Sequence, residues 1–408
     1  MTVGIDIRVL AKGTRTGVED YTINLLSRLL SADKSVKYRL FYSGFRKLDS
    51  KQFWLKLPNA KIKKLRIPNR IFDLFLKIFR WPKLDKAGKI NVFLSPHFLI
   101  TPLSKETKRI MIFYDLSFLR FPEFFSFSKR WWHKFVSPGN QAQKADLIVS
   151  ISESTKKDLI ELYKISPGKI KVIYPGIGEE FRVIDKKDPR LLRVKEKYKI
   201  PDNFILYFGT IEPRKNILAL VKAFEEIKRN KNSRILEVDW QGFEGVVKNR
   251  KASRINVSNL KLVIAGAKGW LCGDFFKKIE ESDFKKDIFF TGFIEEEDKP
   301  YLYSLADVFV YPSFFEGFGL PPLEAMACGV PAIVSNKSSL PEVVGRGAVM
   351  VDPQNQDELA FVIREVLNNQ ELKNYLIKKG LERAKQFNWD NTVKNFLNLF
   401  KIYDNHLR

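Results

Sequence analysis

The chain has 408 residues, 45% of them hydrophobic and 29% charged. This composition excludes intrinsic disorder and, at this length, asks for two cores rather than one. Two cysteines, Cys272 and Cys328, exclude a disulfide framework and a cysteine metal site, and no apolar run reaches the ~20 residues of a membrane-spanning helix. Lysine and arginine total 71 against 47 acidic residues, a net charge of +24, so an anionic partner is expected: nucleic acid, anionic lipid or phosphorylated small molecules.

The opening MTVGIDIRVL lacks the basic region, apolar stretch and cleavage site of a secretory signal, and residues 3–9 predict a buried strand. A cytoplasmic chain is the expectation. Residues 19–30, EDYTINLLSRLL, predict a helix with Tyr21, Leu25, Leu26 and Leu29 on one face. Residues 38–42 predict the next strand. Residues 46–87 then hold 13 Lys/Arg against 3 Asp, together with Phe53, Trp54, Phe72, Phe75, Phe79 and Trp81. Within them, NRIFDLFLKIFRWPKL at 69–84 sets Phe72, Phe75, Leu76 and Phe79 at helical spacing among Arg70, Lys77, Arg80 and Lys83. That is the pattern of a helix lying on an anionic bilayer. The alternative is phenylalanines packed in the core with solvated basic residues around them. Trp131 and Trp132, beside Lys129, Arg130 and Lys134, predict a second membrane contact.

Strands at 92–94, 109–113, 147–150 and 171–173 complete a first series. Pro175, Gly176 and Gly178 break regular structure and place a boundary between 174 and 201. A second series follows at 203–208, 262–265, 288–291, 308–311, 332–334 and 349–351. A polar, basic segment at 230–259 interrupts it and reads as a surface insertion. Residues 389–403 predict an amphipathic helix. Strands alternating with helices imply parallel sheets covered on both faces. The fold class is therefore α/β, with two Rossmann-like, doubly wound domains at 1–176 and 177–388. The expectation for 389–408 is a closing helix packed back on the first domain.

The chemistry concentrates in the second half. In YPSFFEGFGLPPLEAMACGVPAIVS, residues 311–335, a strand enters a turn with Gly317 and Gly319, and Pro321 and Pro322 favour the first turn of a new helix. The glycines let backbone approach a ligand, and the helix N-terminus presents free N–H groups suited to a diphosphate. Glu316 precedes that helix and Glu324 lies in its first turns. A carboxylate beside phosphate is unfavourable, so Glu324 fits sugar hydroxyls better. The plainer reading of Glu324 is an acid stabilised by the helix dipole. The turn's place at the carboxyl end of a strand favours a binding role. FGTIEPRKN, residues 208–216, is a second phosphate candidate, with Gly209 for close approach and Arg214 and Lys215 as cations.

In this order, GTIEPRKN, LVIAGAKGW, TGFIEE, YPSFFEGFGLPPLEAMACG and SLPEVVG resemble the C-terminal half of family-4 retaining glycosyltransferases of the GT-B fold. TGVEDYTINLL, YDLSFLRFPEFF, VSISESTKKDL and VIYPGI resemble the N-terminal half. The resemblance implies two Rossmann-like domains facing across a cleft, with the nucleotide-sugar donor held mainly by the second. It implies that Lys215 contacts the donor phosphates, with Arg214 compensating for Thr210, which stands where the family often has arginine. Glu316 lies beside the donor sugar, and Glu324 holds the ribose. The backbone of Phe318, Gly319 and Leu320 approaches sugar and diphosphate, and Phe293 and Ile294 border the base. In the first domain, Gly17 lets its loop approach the diphosphate. His97 is either an active-site histidine or a partly buried loop residue; the other histidines are His133 and His406. Asp115 matches the aspartate of an H-D pattern whose histidine is replaced by Tyr114.

The implied reaction is hexose transfer with retention, from a nucleotide-sugar with GDP-mannose the first guess, without metal or other cofactor. The implied acceptor is a glycan or a lipid-linked glycan in surface-polysaccharide assembly, at the inner face of the cell membrane. The alternatives are a soluble acceptor, as in sucrose or trehalose synthases, and a basic nucleic-acid-binding protein. The last lacks any base-contacting motif or binding module.

Overall fold

The structure, a computed structural model, describes residues 1–12, 17–45, 48, 52–87, 89–229 and 257–405. The expected insertion at 230–259 lies outside the described residues as far as residue 256, as does His406. The chain packs into two units. One comprises Met1–Leu116, Phe127–Gly176 and Asn388–Arg408, the other Ser117–Ser126 and Ile177–Phe387.

The first unit is built on a seven-stranded sheet, β3-β2-β1-β4-β5-β6-β7, parallel throughout. Its strands are β1 (Thr2–Asp6), β2 (Lys37–Ser43), β3 (Ala60–Leu65), β4 (Val92–Ser95), β5 (Lys108–Phe113), β6 (Leu147–Ser150) and β7 (Ile170–Val172). Runs such as VFLS and LIVS are buried along their whole length, as strands covered on both faces must be. The sequence pattern missed β3. Its AKIKKL carries lysines on both faces, which suits an exposed edge that must not recruit further strands.

The chain's final helix, Trp389–Asn405, packs on the Gly17–Ala32 helix. Trp389 lies against the Tyr21 ring at 5.4 Å and beneath Arg28 at 5.5 Å, and Thr392 Oγ1 donates to the Tyr174 carbonyl at 2.7 Å. Gly176 is needed there: a Cβ would stand 2.2 Å from the Trp389 nitrogen.

The Asn69–Phe79 helix corrects the sequence reading. Phe72 and Leu76 are buried, so they belong to the core and not to a bilayer face shared with Phe75 and Phe79. Between them Asp73 pairs with the buried Arg8 at 2.9 Å, and Arg8 also pairs with Asp6 and donates to the Ile100 carbonyl. A helix apolar on nearly every side buries the stripe that carries an acid for Arg8. It leaves Ile71, Leu74, Phe75, Ile78 and Phe79 exposed, with Trp81 beyond its end. Trp132 is a second correction. It is half-buried against His97 and Phe98, at 5.9 Å from each, whereas Trp131 is exposed. No helix among the described residues is long and apolar enough to cross a membrane.

The second unit has a six-stranded sheet, β10-β9-β8-β11-β12-β13, again parallel. Its strands are β8 (Phe204–Phe208), β9 (Lys261–Ala265), β10 (Ile288–Gly292), β11 (Val308–Tyr311), β12 (Ala332–Ser335) and β13 (Ala348–Val351). The order reverses between β8 and β11: the chain winds outward through β9 and β10 on one side and through β12 and β13 on the other. Such a switch point leaves a crevice at the carboxyl ends of the central strands.

Candidate active site

Both candidate segments leave the sheet at this switch point. After β8 the chain passes through Gly209 and a short turn, Pro213–Lys215, into the Ile217–Arg229 helix. After β11 it passes through Pro312 to Gly319 into the Leu320–Ala327 helix. The two turns are stitched together. Phe314 N–H donates to the Arg214 carbonyl at 2.9 Å, and Asn216 Nδ2 donates to the Pro312 carbonyl at 3.1 Å. Gly319 caps the new helix at φ +105°, where a Cβ would also come within 2.6 Å of Leu340 Cδ2.

The stitching brings Arg214, Lys215 and Glu316 into one buried cluster. Lys215 Nζ donates to Glu316 Oε1 at 2.6 Å and to Tyr311 Oη at 2.7 Å. Arg214 Nη1 donates to Glu316 Oε2 at 3.2 Å and to the Phe315 carbonyl at 2.7 Å. Its other face pairs with Glu212 at 2.8 Å. Lys215 and Glu316 are only 8% and 6% exposed. Burial works to raise the Glu316 carboxyl, but Lys215 and then Arg214 outweigh it and hold it down at about 2. Burial lowers the Lys215 ammonium from its ordinary value; Glu316 opposes that and Arg214 adds to it. The backbone around Glu316 is fixed as well. Its N–H donates to Ser338 Oγ at 2.8 Å, and Ser339 Oγ donates to the carbonyls of Glu316 and Phe318 at 2.9 Å each.

Glu324 is half-buried in the Leu320–Ala327 helix and accepts from Tyr303 Oη at 2.8 Å. The Phe318 side chain is core, edge-on to Phe387 at 5.6 Å, so only its backbone is available to a ligand; Leu320 is half-buried. Beyond β10, Phe293 is exposed and Ile294 buried. Gly209 has φ +153° and donates its N–H to Ala265.

The remaining predicted residues belong to the first unit. Gly17 opens the Gly17–Ala32 helix and is exposed. His97 follows β4 and is half-buried among Phe98, Trp132 and Tyr114, at 4.1, 5.9 and 6.5 Å. Asp115 follows β5 and is half-buried. Tyr114, in the place of the expected histidine, lies edge-on to Tyr21 at 5.3 Å, and burial raises its phenol.

Sequence reasoning did not single out Tyr311, Glu212, Tyr303, Ser338 or Ser339. Tyr311 and Glu212 sat inside quoted motifs, so their proximity to Glu316 and Arg214 was a usable signal. Ser339 likewise opens the quoted SLPEVVG, whereas Tyr303 and Ser338, which act from other elements, carry no such mark.

The cluster offers two cations and a fixed carboxylate beside a helix N-terminus, an arrangement suited to binding a phosphorylated sugar donor. Residues 190–383 match the glycosyl transferases group 1 family, and residues 15–181 match glycosyltransferase family 4. The O-antigen chain mannosyltransferase B of Escherichia coli is 27% identical over 404 residues, covering 95% of this chain and 96% of that one. A serotype-specific mannosyltransferase of Escherichia coli is 34% identical over 251 residues, 62% of this chain but 28% of that protein. In fold, the chain is similar to sucrose-phosphate synthase from Thermosynechococcus elongatus, with TM-score 0.73, 18% identity and 98% of each chain covered. It is also similar to a glycosyltransferase from Rickettsia africae, with TM-score 0.66, 17% identity and 98% of each covered. Matched from residue 15 to residue 383 with one short break, the chain belongs to the group 1, family-4 glycosyltransferases and is an enzyme of the GT-B fold.

Proposed function

We propose that this enzyme transfers mannose from GDP-mannose, with retention, to a glycan or lipid-linked acceptor in surface-polysaccharide assembly. The observation that carries the donor side is the buried Arg214–Lys215–Glu316 cluster at the switch point. The two cations meet the diphosphate, with the N-terminus of the Leu320–Ala327 helix and the backbone of Gly319 and Leu320 behind them. Gly209 leaves room for that approach, Glu324 takes the ribose, and Phe293 and Ile294 border the base. Mannose is chosen because two mannosyltransferases stand among the relatives.

In the transfer step the acceptor oxygen bonds to the anomeric carbon on the face from which the diphosphate oxygen departs. The acceptor proton passes to that departing oxygen. Negative charge grows on the leaving diphosphate, and Lys215 and Arg214 stabilise it. Glu316, ionised at neutral pH and fixed from two sides, positions the sugar and does not attack it. Gly17, His97 and Asp115, all on the first unit, serve the acceptor side of the reaction. The cations supply the charge that a metal ion would otherwise bring, so turnover without added divalent metal belongs to the proposal.

The acceptor is placed at the cytoplasmic face of the membrane. The outer face of the Asn69–Phe79 helix supports this, with Ile78 and Phe79 each 62% exposed and Trp81 65% exposed among Arg70, Lys77 and Arg80. Lys77 Nζ donates to the Phe135 carbonyl at 2.6 Å and lies 4.0 Å from the Phe135 ring, on which Trp131 stacks at 5.5 Å. Exposed aromatics ringed by cations fit an anionic bilayer surface, and this favours a lipid-linked acceptor over a soluble one.

The test is calorimetric titration with GDP, UDP and ADP, repeated on Lys215→Ala. Binding of GDP that the variant loses is expected. Binding of UDP or ADP in place of GDP overturns the mannose assignment, and no binding at all overturns the donor-site reading.

A further inference from the structure

Between β5 and the Phe127–Val136 helix, the residues Ser117–Ser126 belong to the second unit's packing and not to the first's. This strap, Ser117–Ser126, carries four phenylalanines, of which Phe121 and Phe124 stack on each other at 5.5 Å. Phe121 packs on Phe315 at 5.7 Å and Phe124 stacks on Phe314 at 5.8 Å, with planes only 19° apart. Phe314 and Phe315 immediately precede Glu316. Both also bond to Arg214: Phe314 N–H donates to the Arg214 carbonyl, and the Phe315 carbonyl accepts from Arg214 Nη1. The strap is locked from a third direction. Trp270 Nε1–H donates to the Phe124 carbonyl at 2.6 Å, and the Trp270 ring lies 6.1 Å from Phe125. Trp270 stands on the loop after β9, which is tied to the turn after β8 because Gly269 N–H donates to the Ile211 carbonyl.

We propose that Phe121 and Phe124 are positioning residues for the transfer reaction, setting the place of Glu316 through Phe314 and Phe315, while Arg214 stays anchored on Glu212. The loop after β11 has hydrogen bonds on its Arg214 and Ser338–Ser339 sides; the strap supplies the apolar contact that fixes its two phenylalanines. Four rings and one indole hydrogen bond restrict rotamers that polar contacts alone leave loose. A carboxylate that orients a sugar loses most of its effect when displaced by about 1 Å. The inference rests on the donor-side reading of Glu316.

The experiment compares Phe121→Ala, Phe124→Ala and Trp270→Phe with the wild type, reading GDP release from GDP-mannose, calorimetric binding of GDP and melting temperature. The conservative Phe121→Tyr keeps the ring contact, and Glu316→Ala tests the underlying reading. The alanine variants are expected to lose about tenfold or more in kcat/KM for GDP-mannose. GDP, which lacks the sugar that Glu316 orients, is expected to bind within about twofold of wild type, with melting temperature within about 3 °C. Phe121→Tyr retains activity within about threefold, and Trp270→Phe, which loses only the hydrogen bond, falls between. Unchanged kcat/KM in both alanine variants overturns the proposal. So does a loss matched by equal losses of GDP binding and melting temperature, since that marks a purely structural role. If Glu316→Ala retains wild-type kcat/KM, the donor-side reading fails, whatever the strap variants show.

Discussion

Replacing Glu316 by glutamine keeps the shape of the side chain and removes its charge from a site where two buried cations depend on it. Lys215 at 2.6 Å and Arg214 at 3.2 Å lose their counter-ion. Removing one partner of a buried ion pair costs about 3–5 kcal/mol, because the other charge stays buried without compensation. Here Arg214 keeps Glu212 at 2.8 Å and the Phe315 carbonyl at 2.7 Å, and Lys215 keeps Tyr311 Oη. The expected loss is therefore at the lower end, about 3 kcal/mol, read as a drop in urea midpoint at pH 7. Lys215→Met alone strands the carboxylate beside Arg214 only. The double variant should cost less than the two single losses combined, because the surviving charge is gone as well. The pH dependence has a fixed sign. A carboxyl held down at about 2 contributes stability in full above its ordinary value of 4.5 and loses it as pH falls through the folded-state value. The gap between wild type and Glu316→Gln should thus narrow as pH is lowered from about 5 towards 3. A variant as stable as wild type within about 0.5 kcal/mol, additive costs in the double variant, or a gap that does not change with pH would each refute the reasoning.

Tyr303→Phe removes the hydroxyl that donates to Glu324. A hydrogen bond to a charged acceptor contributes about 1.5–3 kcal/mol, so GDP affinity measured by calorimetry should fall at least about tenfold. Gly319→Ala must hold a side chain at φ +105° and 2.6 Å from Leu340 Cδ2, and chemical denaturation should show a loss of about 1–3 kcal/mol. Ile78→Glu with Phe79→Glu puts acids on the exposed face of the Asn69–Phe79 helix. Cosedimentation with phosphatidylglycerol vesicles at low salt should be strong for wild type and lost in this variant, with the urea midpoint unchanged. No binding by wild type sinks the membrane placement.

Much of the fold was legible because its strands are buried on both faces. VFVY, LIVS and LVIA read as apolar runs whatever surrounds them, and the helical gaps between them fix a parallel sheet. AKIKKL was not legible, because an edge strand needs lysines where a central strand needs valine. The Asn69–Phe79 helix was legible as apolar but not as two-sided, since only the pairing of Asp73 with Arg8 decides which stripe turns inward. Lys215 and Glu316 lie 101 residues apart. Spacing alone offered each as a separate candidate; only resemblance placed both at one donor site. The strap was invisible for the same reason. FLRFPEFF entered only as part of the motif YDLSFLRFPEFF, with no role for its phenylalanines, and its partners Phe314, Phe315 and Trp270 come from loops that only the folded sheet brings within reach.

The close approach at Gly176 has a consequence for the order in which the protein is made. The second unit's long segment starts at Ile177 and ends at Phe387, and these two residues are hydrogen-bonded, Ile177 N to the Phe387 carbonyl at 3.1 Å. In chain order that segment is an insertion between the first unit's body and its last helix. A ribosome delivers the seat formed by Tyr21, Arg28, Tyr174 and Gly176 long before it delivers Trp389 and Thr392. The second unit can close while the first still waits with an apolar helix face uncovered. Completion of the first unit thus waits for the Trp389–Asn405 helix, and a chain that stops before Trp389 should harm the half of the protein made first.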